Sequence, residues 1–121
     1  MSEFKVIVAG SRTFGNFKLL CEKLDNILAN KTNVTIISGM ANGADMLGVK
    51  YAEMRKLKIL KMPADWNTHG LKAGYLRNME MAKASNALVA FWDGKSKGTN
   101  HMIAIAKELN LPTRIIRYDN E

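Results

Sequence analysis

Phe4-Lys5-Val6-Ile7-Val8-Ala9-Gly10-Ser11-Arg12 is the stretch whose reading decides the fold. Residues 4–9 form a short, mostly apolar run rich in valine and isoleucine, and Gly10 ends it, the pattern of a buried strand. The same grammar returns down the chain. Residues 34–37 end at Ser38-Gly39, residues 59–62 at Pro63, residues 87–92 at Asp93-Gly94, and residues 113–117 follow Pro112. Between these runs apolar residues recur at helical spacing: Leu20, Leu24, Ile27 and Leu28, then Leu47, Gly48, Tyr51 and Ala52. A third helix is expected over residues 75–84 with Met79 and Ala82 inward, and a fourth through Met102, Ile105, Ala106 and Leu109. Strictly alternating strands and helices, with strands that lack polar alternation, predict an α/β domain whose parallel sheet is covered on both faces. Right-handed crossovers then bring every strand's carboxyl end to one rim, where ligands bind in such sheets.

The chain of 121 residues, 47% hydrophobic, is long enough for one compact domain spanning 1–121. Its apolar runs are too short to span a bilayer, so no membrane partner is expected. The single cysteine, Cys21, excludes a disulfide framework and suits a cytoplasmic protein with a small or half-buried thiol. Eighteen basic against eleven acidic residues give a net charge of +7, which favours anionic partners such as nucleotides or nucleic acid. The charges are spread, and the densest group, Arg55-Lys56-Lys58-Lys61, reads as a solvated helix end and strand flank. Residues 64–73 form the longest stretch without a pattern, either a lid or a surface connection.

Four clusters carry the chemistry. Gly10-Ser11-Arg12 follows the first strand directly: glycine permits close approach, Ser11 can donate, and Arg12 can fork onto a phosphate. Ser38-Gly39 through Gly43-Ala44-Asp45 makes a strand-to-helix bend, where Asp45 is either a helix cap or an acceptor for a ribose hydroxyl. Arg77-Asn78 lies in the third helix, as a ligand contact or a solvent-facing pair. Asp93-Gly94 through Ser96-Lys97-Gly98-Thr99 joins glycines, hydroxyls and lysines just before a helix, the most phosphate-like of the four. Neither the dinucleotide Gly-x-Gly-x-x-Gly fingerprint nor a Walker lysine loop is present. His69 and His101 are far apart with no further donor at ligand spacing, so no metal and no required cofactor is expected. Trp66 and Trp92 could each stack on a base or simply pack.

In order and together, these clusters resemble the SLOG superfamily, named for the Smf/DNA-processing protein A and Lonely Guy proteins, and within it the YspA-like, YpsA-related branch. The resemblance covers nearly the whole chain. It implies a Rossmann-like three-layer sheet of about five strands in the order 3-2-1-4-5. It further implies ligands such as nucleoside monophosphates or ADP-ribose derivatives, and frequent homo-oligomers. The superfamily's nucleotide-binding Gly-Ser-Arg matches Gly10, Ser11 and Arg12, and its Ser-Gly-x-x-x-Gly-Ala-Asp matches Ser38, Gly39, Gly43, Ala44 and Asp45. Its Arg-Asn with a later apolar residue falls on Arg77, Asn78 and Met81, and its Gly-Thr phosphate loop on Gly98 and Thr99, preceded by Asp93-Gly94. One departure stands out. The Lonely Guy phosphoribohydrolases carry a glutamate three residues after that threonine, and Met102 takes its place here.

A thioether cannot relay a proton, so the expectation is a nucleotide-binding protein that senses or sequesters its ligand, in phage–bacteria defence signalling among other settings. Arg77 and Glu80 are the weak catalytic candidates if a nucleotide N-glycosidase activity exists, and single-stranded DNA binding is the third alternative.

Overall fold

The computed structural model describes residues 3–118. Five strands, β1 (Phe4–Gly10), β2 (Val34–Ser38), β3 (Lys58–Lys61), β4 (Ala87–Trp92) and β5 (Thr113–Arg117), form one sheet in the order β3-β2-β1-β4-β5. Every neighbouring pair is parallel: Val6 stands opposite Ile36 on one side and Ala87 on the other, and Ile36 opposite Ile59. The helices α1 (Phe17–Ile27), α2 (Ala44–Met54), α3 (Trp66–His69), α4 (Ala73–Ala84) and α5 (Lys97–Glu108) fill the connections.

Alternate residues of the central strand explain why its apolar run has no polar partner positions. Val6 and Val8 join Leu20, Leu24, Tyr51 and Ala52 in a core layer under α1 and α2. Ile7 and Ala9 join Met81, Ala82, Met102, Ile103 and Ala106 in a second layer under α4 and α5. A strand pinched between two helix layers must be apolar on both faces, as β1, β2 and β4 are. The edge strands β3 and β5 are more exposed. Cys21 is half-buried against the first layer, and Arg55, Lys56, Lys58 and Lys61 are all exposed.

Three local expectations need correction. Residues 64–73 are not irregular throughout: Asp65 accepts from the Thr68 amide at 3.2 Å and caps α3, and a 3-10 turn (Gly70–Lys72) leads straight into α4. A four-residue helix has no period to detect. Because α4 begins at Ala73, its inward face runs through Ala73, Asn78, Met81 and Ala82, and Met79 points to solvent at 46% exposure. Leu109, expected on the inner face of α5, is its half-exposed C-cap residue. Among the described residues no helix is long and apolar enough to cross a membrane.

Candidate functional site

The chain leaves β1 toward β2 on one side and later places β4 on the other, so the strand order reverses between β1 and β4. A crevice opens beyond the carboxyl ends at such a point. Here it holds a cavity of about 480 Å³, within the usual range for small-molecule sites of about 300–1,000 Å³.

The loop after β1 forms its floor. Gly10 passes so close to the Phe91 carbonyl and the Ala44 side chain that any Cβ would collide with both. The Ser11 amide donates to the Phe91 carbonyl at 3.0 Å, and the Ser11 hydroxyl accepts from the Asp93 amide at 3.1 Å. These two bonds pin the β1 and β4 loops together across the crevice. Ser11 is therefore buried and structural as well as lining. Arg12 is exposed at the cavity, with no hydrogen bond or ion pair among the described residues.

The bend after β2 supports the floor from behind. The Ser38 hydroxyl donates to the Asp45 carbonyl at 2.9 Å and accepts from the Met40 amide at 3.1 Å. Gly43 sits at φ +83°, and a Cβ there would strike the Ser11 and Arg12 carbonyls. The Ala44 amide donates to the Ser11 carbonyl at 3.3 Å. Asp45 is 5% exposed and lines the cavity. Its carboxylate accepts from the Ala41 amide at 3.3 Å, so it folds back on its own loop instead of capping the helix. Burial pushes its pKa up to about 6, against the opposing pull of the Ala41 and Gly10 backbone and the Arg77 and Arg12 charges.

Arg77 and Asn78 form the wall from α4. They do not face solvent: Asn78 is 6% exposed and Arg77 half-buried. Arg77 reaches the far end of β2, where its Nη1 donates to the Gly39 carbonyl and more weakly to Met62. Its Nε donates to Asn78 Oδ1 at 3.0 Å, and Asn78 Nδ2 donates to the Gly98 carbonyl at 3.3 Å. Asn78 thus ties α4 to the first turn of α5 while aiming Arg77. Burial lowers the Arg77 pKa, and Asp45 opposes that shift. Each charge is near enough to shift the other's titration, without a hydrogen bond or ion pair between them among the described residues.

The last loop brings the start of α5 to the cavity. Asp93 Oδ1 accepts from the Lys95 and Ser96 amides at 2.8 and 2.9 Å, bonds that hold its carboxyl below the ordinary range. Ser96 caps α5, its hydroxyl accepting from the Thr99 amide at 3.5 Å and lying 3.1 Å from the Thr99 hydroxyl. The Lys97 and Gly98 amides follow in the first turn, where no carbonyl precedes them to bond, at the positive end of the helix. Gly98 is exposed, and both it and Thr99 line the cavity.

The cavity therefore gathers Gly10, Ser11, Arg12, Asp45, Arg77, Asn78, Asp93, Ser96, Gly98 and Thr99. Ser38, Gly39, Gly43 and Ala44 stand behind it as supports. Gly94 lies under the Arg117 guanidinium and Lys97 points outward, neither in the lining. Glu80 is exposed on α4 and does not reach the cavity. Met102, at the position of the Lonely Guy glutamate, is buried and does line it. Sequence reasoning missed Leu71, Gly74 and Tyr75 as lining residues. Tyr75 stood only as the start of a helix, with no pattern to mark it.

Comparisons with known proteins bear on the family and the fold. A family model described as YspA, cpYpsA-related SLOG family matches residues 4–69. The Gene 61 protein of Mycobacterium phage D29 is 33% identical over 115 residues, covering 89% of this chain and 92% of that protein. Among solved structures, DNA processing protein A from Helicobacter pylori, described there for its single-stranded DNA binding mode, has the same fold with a TM-score of 0.64 at 19% identity. The match covers 94% of this chain and 65% of that one. With its family model, its phage relative and its sheet order in accord, the chain belongs to the YspA, cpYpsA-related SLOG family.

Proposed function

We propose that this protein binds a nucleotide or nucleotide-derived signal, of the nucleoside monophosphate or ADP-ribose type, and senses or sequesters it. One observation carries the reading: Arg12, Asp45, Arg77 and the Gly98-Thr99 start of α5 line one cavity at the strand-order reversal. In this reading the Gly98-Thr99 helix end and Arg12 hold phosphate, and Asp45 accepts from a ribose hydroxyl. Binding without turnover is supported by the carboxylates in the lining. Asp45 and Asp93 both already accept backbone hydrogen bonds, and Met102 replaces the acid of the Lonely Guy enzymes. A homo-oligomer belongs to the same proposal, on family grounds.

Calorimetric titration with AMP and ADP-ribose tests it, with chromatography of the mixtures for free base. Wild-type protein binds at least one of them and releases no base. Arg12→Ala and Gly98→Asp each weaken binding by about 1–3 kcal/mol, the worth of a charge-assisted hydrogen bond. Unchanged affinity in both variants contradicts the placement.

Single-stranded DNA is the second reading, favoured by the fold shared with DNA processing protein A and by the net charge of +7. Oligonucleotide affinity that falls steeply with salt, beside no response to AMP or ADP-ribose, would select it.

A further inference from the structure

The two tryptophans, equivalent in the sequence, have separate fates in the fold. Trp92 is engaged: its indole Nε1 donates to the Ser96 carbonyl at 3.1 Å, and the Arg117 guanidinium covers its ring at 5.3 Å. Trp66 lines the cavity at 51% exposure and has no hydrogen-bond or ring partner among the described residues. Its Cη2 lies 3.4 Å from where a Cβ on Gly74 would stand. Tyr75 lines the same side at 54% exposure. Its ring stands edge-on to His101 at 4.4 Å and 82°. His101 Nδ1 lies 3.2 Å from Asn78 Nδ2, an amide donor that requires this ring nitrogen to be unprotonated. Burial lowers the His101 pKa in the same direction. Tyr75 is thus braced, through His101 and Asn78, against the group that aims Arg77. Leu71, 91% exposed, adds apolar surface to the same cavity.

We propose that Trp66 and Tyr75 form a ring-binding subsite for the heterocycle of the ligand. The ligand class is then a base-bearing nucleotide and not a phosphorylated sugar alone. This inference rests on the nucleotide reading of the same cavity and adds the part of the ligand that Arg12 and the α5 end leave unread. Large rigid rings offer contact area at small entropic cost, and every base has a face that stacks on them. The cavity so read offers amides and guanidinium for phosphate and bare aromatic surface for a base.

The test is a set of titrations with AMP and ribose 5-phosphate, which share the phosphosugar and differ in the base. Wild-type protein binds AMP at least about fivefold more tightly than ribose 5-phosphate, the lower end of what one stacked base contributes. Trp66→Ala and Tyr75→Ala weaken AMP by between about fivefold and 100-fold and leave ribose 5-phosphate unchanged. Trp66→Phe keeps most of the AMP affinity and abolishes the fluorescence quenching that AMP causes in the wild type, since Trp92 remains shielded. Equal affinity for the two ligands, or equal losses for both in the alanine variants, overturns the subsite while leaving the phosphate reading intact. Failure of both ligands to bind wild-type protein overturns the two together.

Discussion

At the amino edge of the sheet Arg55 grips Asp25 with two hydrogen bonds, at 3.1 and 2.7 Å, and Tyr51 adds a third at 2.7 Å. At the carboxyl edge, among the described residues, Arg12 stands without a hydrogen-bond or ion-pair partner, Arg77 is fastened through Nε and Nη1 only, and the start of α5 opens onto a cavity. Both edges hold arginine, carboxylate and a neighbouring recess, the amino-edge one about 230 Å³ against about 480 Å³. The difference lies in satisfaction. Where a cation already has its carboxylate, the recess between helix ends offers a ligand little; where donors remain unspent, a ligand can complete them. Parallel topology makes this asymmetry natural, because helix N-termini gather at the carboxyl rim and their C-termini at the other.

The largest expected effect attacks the backbone of the carboxyl edge. Gly43→Val forces a β-branched residue to φ +83° and drives its Cβ into the Ser11 and Arg12 carbonyls. A loss of about 3 kcal/mol or more in urea unfolding is expected. A stability within about 0.5 kcal/mol of wild type would show that the bend is not needed to hold the β1 loop.

Asp45 sharpens the comparison through pH. Its folded pKa of about 6 lies above its ordinary 3.8, so the folded state binds the proton more tightly than the unfolded chain. The resulting stability is complete below about pH 4 and lost as pH rises through 6, a change on the order of 2–3 kcal/mol. Unfolding free energies from pH 4 to 8 should fall less steeply in Asp45→Asn than in wild type. Parallel curves would mean that Asp45 titrates normally. Asp25 moves the opposite way: Arg55 first and Tyr51 second hold it below the usual carboxylate range, so its stabilisation disappears as pH falls.

The smallest effect belongs to the amino edge. Arg55→Ala breaks a largely exposed pair, and such pairs contribute about 0–1 kcal/mol. Nucleotide affinity should be unchanged. A loss of affinity as large as that of Arg12→Ala would erase the distinction between the edges.

The sheet, its parallel sense and the rim were legible because Val6 to Ala9 and Leu88 to Phe91 announce two-sided burial and end in turn residues. Less could be read where function depends on which way a side chain turns. Asp45 has a position typical of a cap, yet it turns back to Ala41, a choice made by the packing of Gly10 and Arg77 around it. Arg77 is one of many helix arginines until the fold brings the Gly39 carbonyl within its reach, 38 residues away. Leu71 became a site residue because the turn after α3 brings it to the cavity, and an element that short leaves no period in the sequence, while Tyr75 sits on an exposed position of α4 that the helical period does not mark.

The most direct measurement is a ¹⁵N-labelled amide titration of the protein with AMP and with ADP-ribose. Saturable shifts are expected at Gly10, Ser11, Gly98 and Thr99, with Tyr51 and Arg55 unmoved. Shifts centred on Asp25, Tyr51 and Arg55, or none with either ligand, would contradict it.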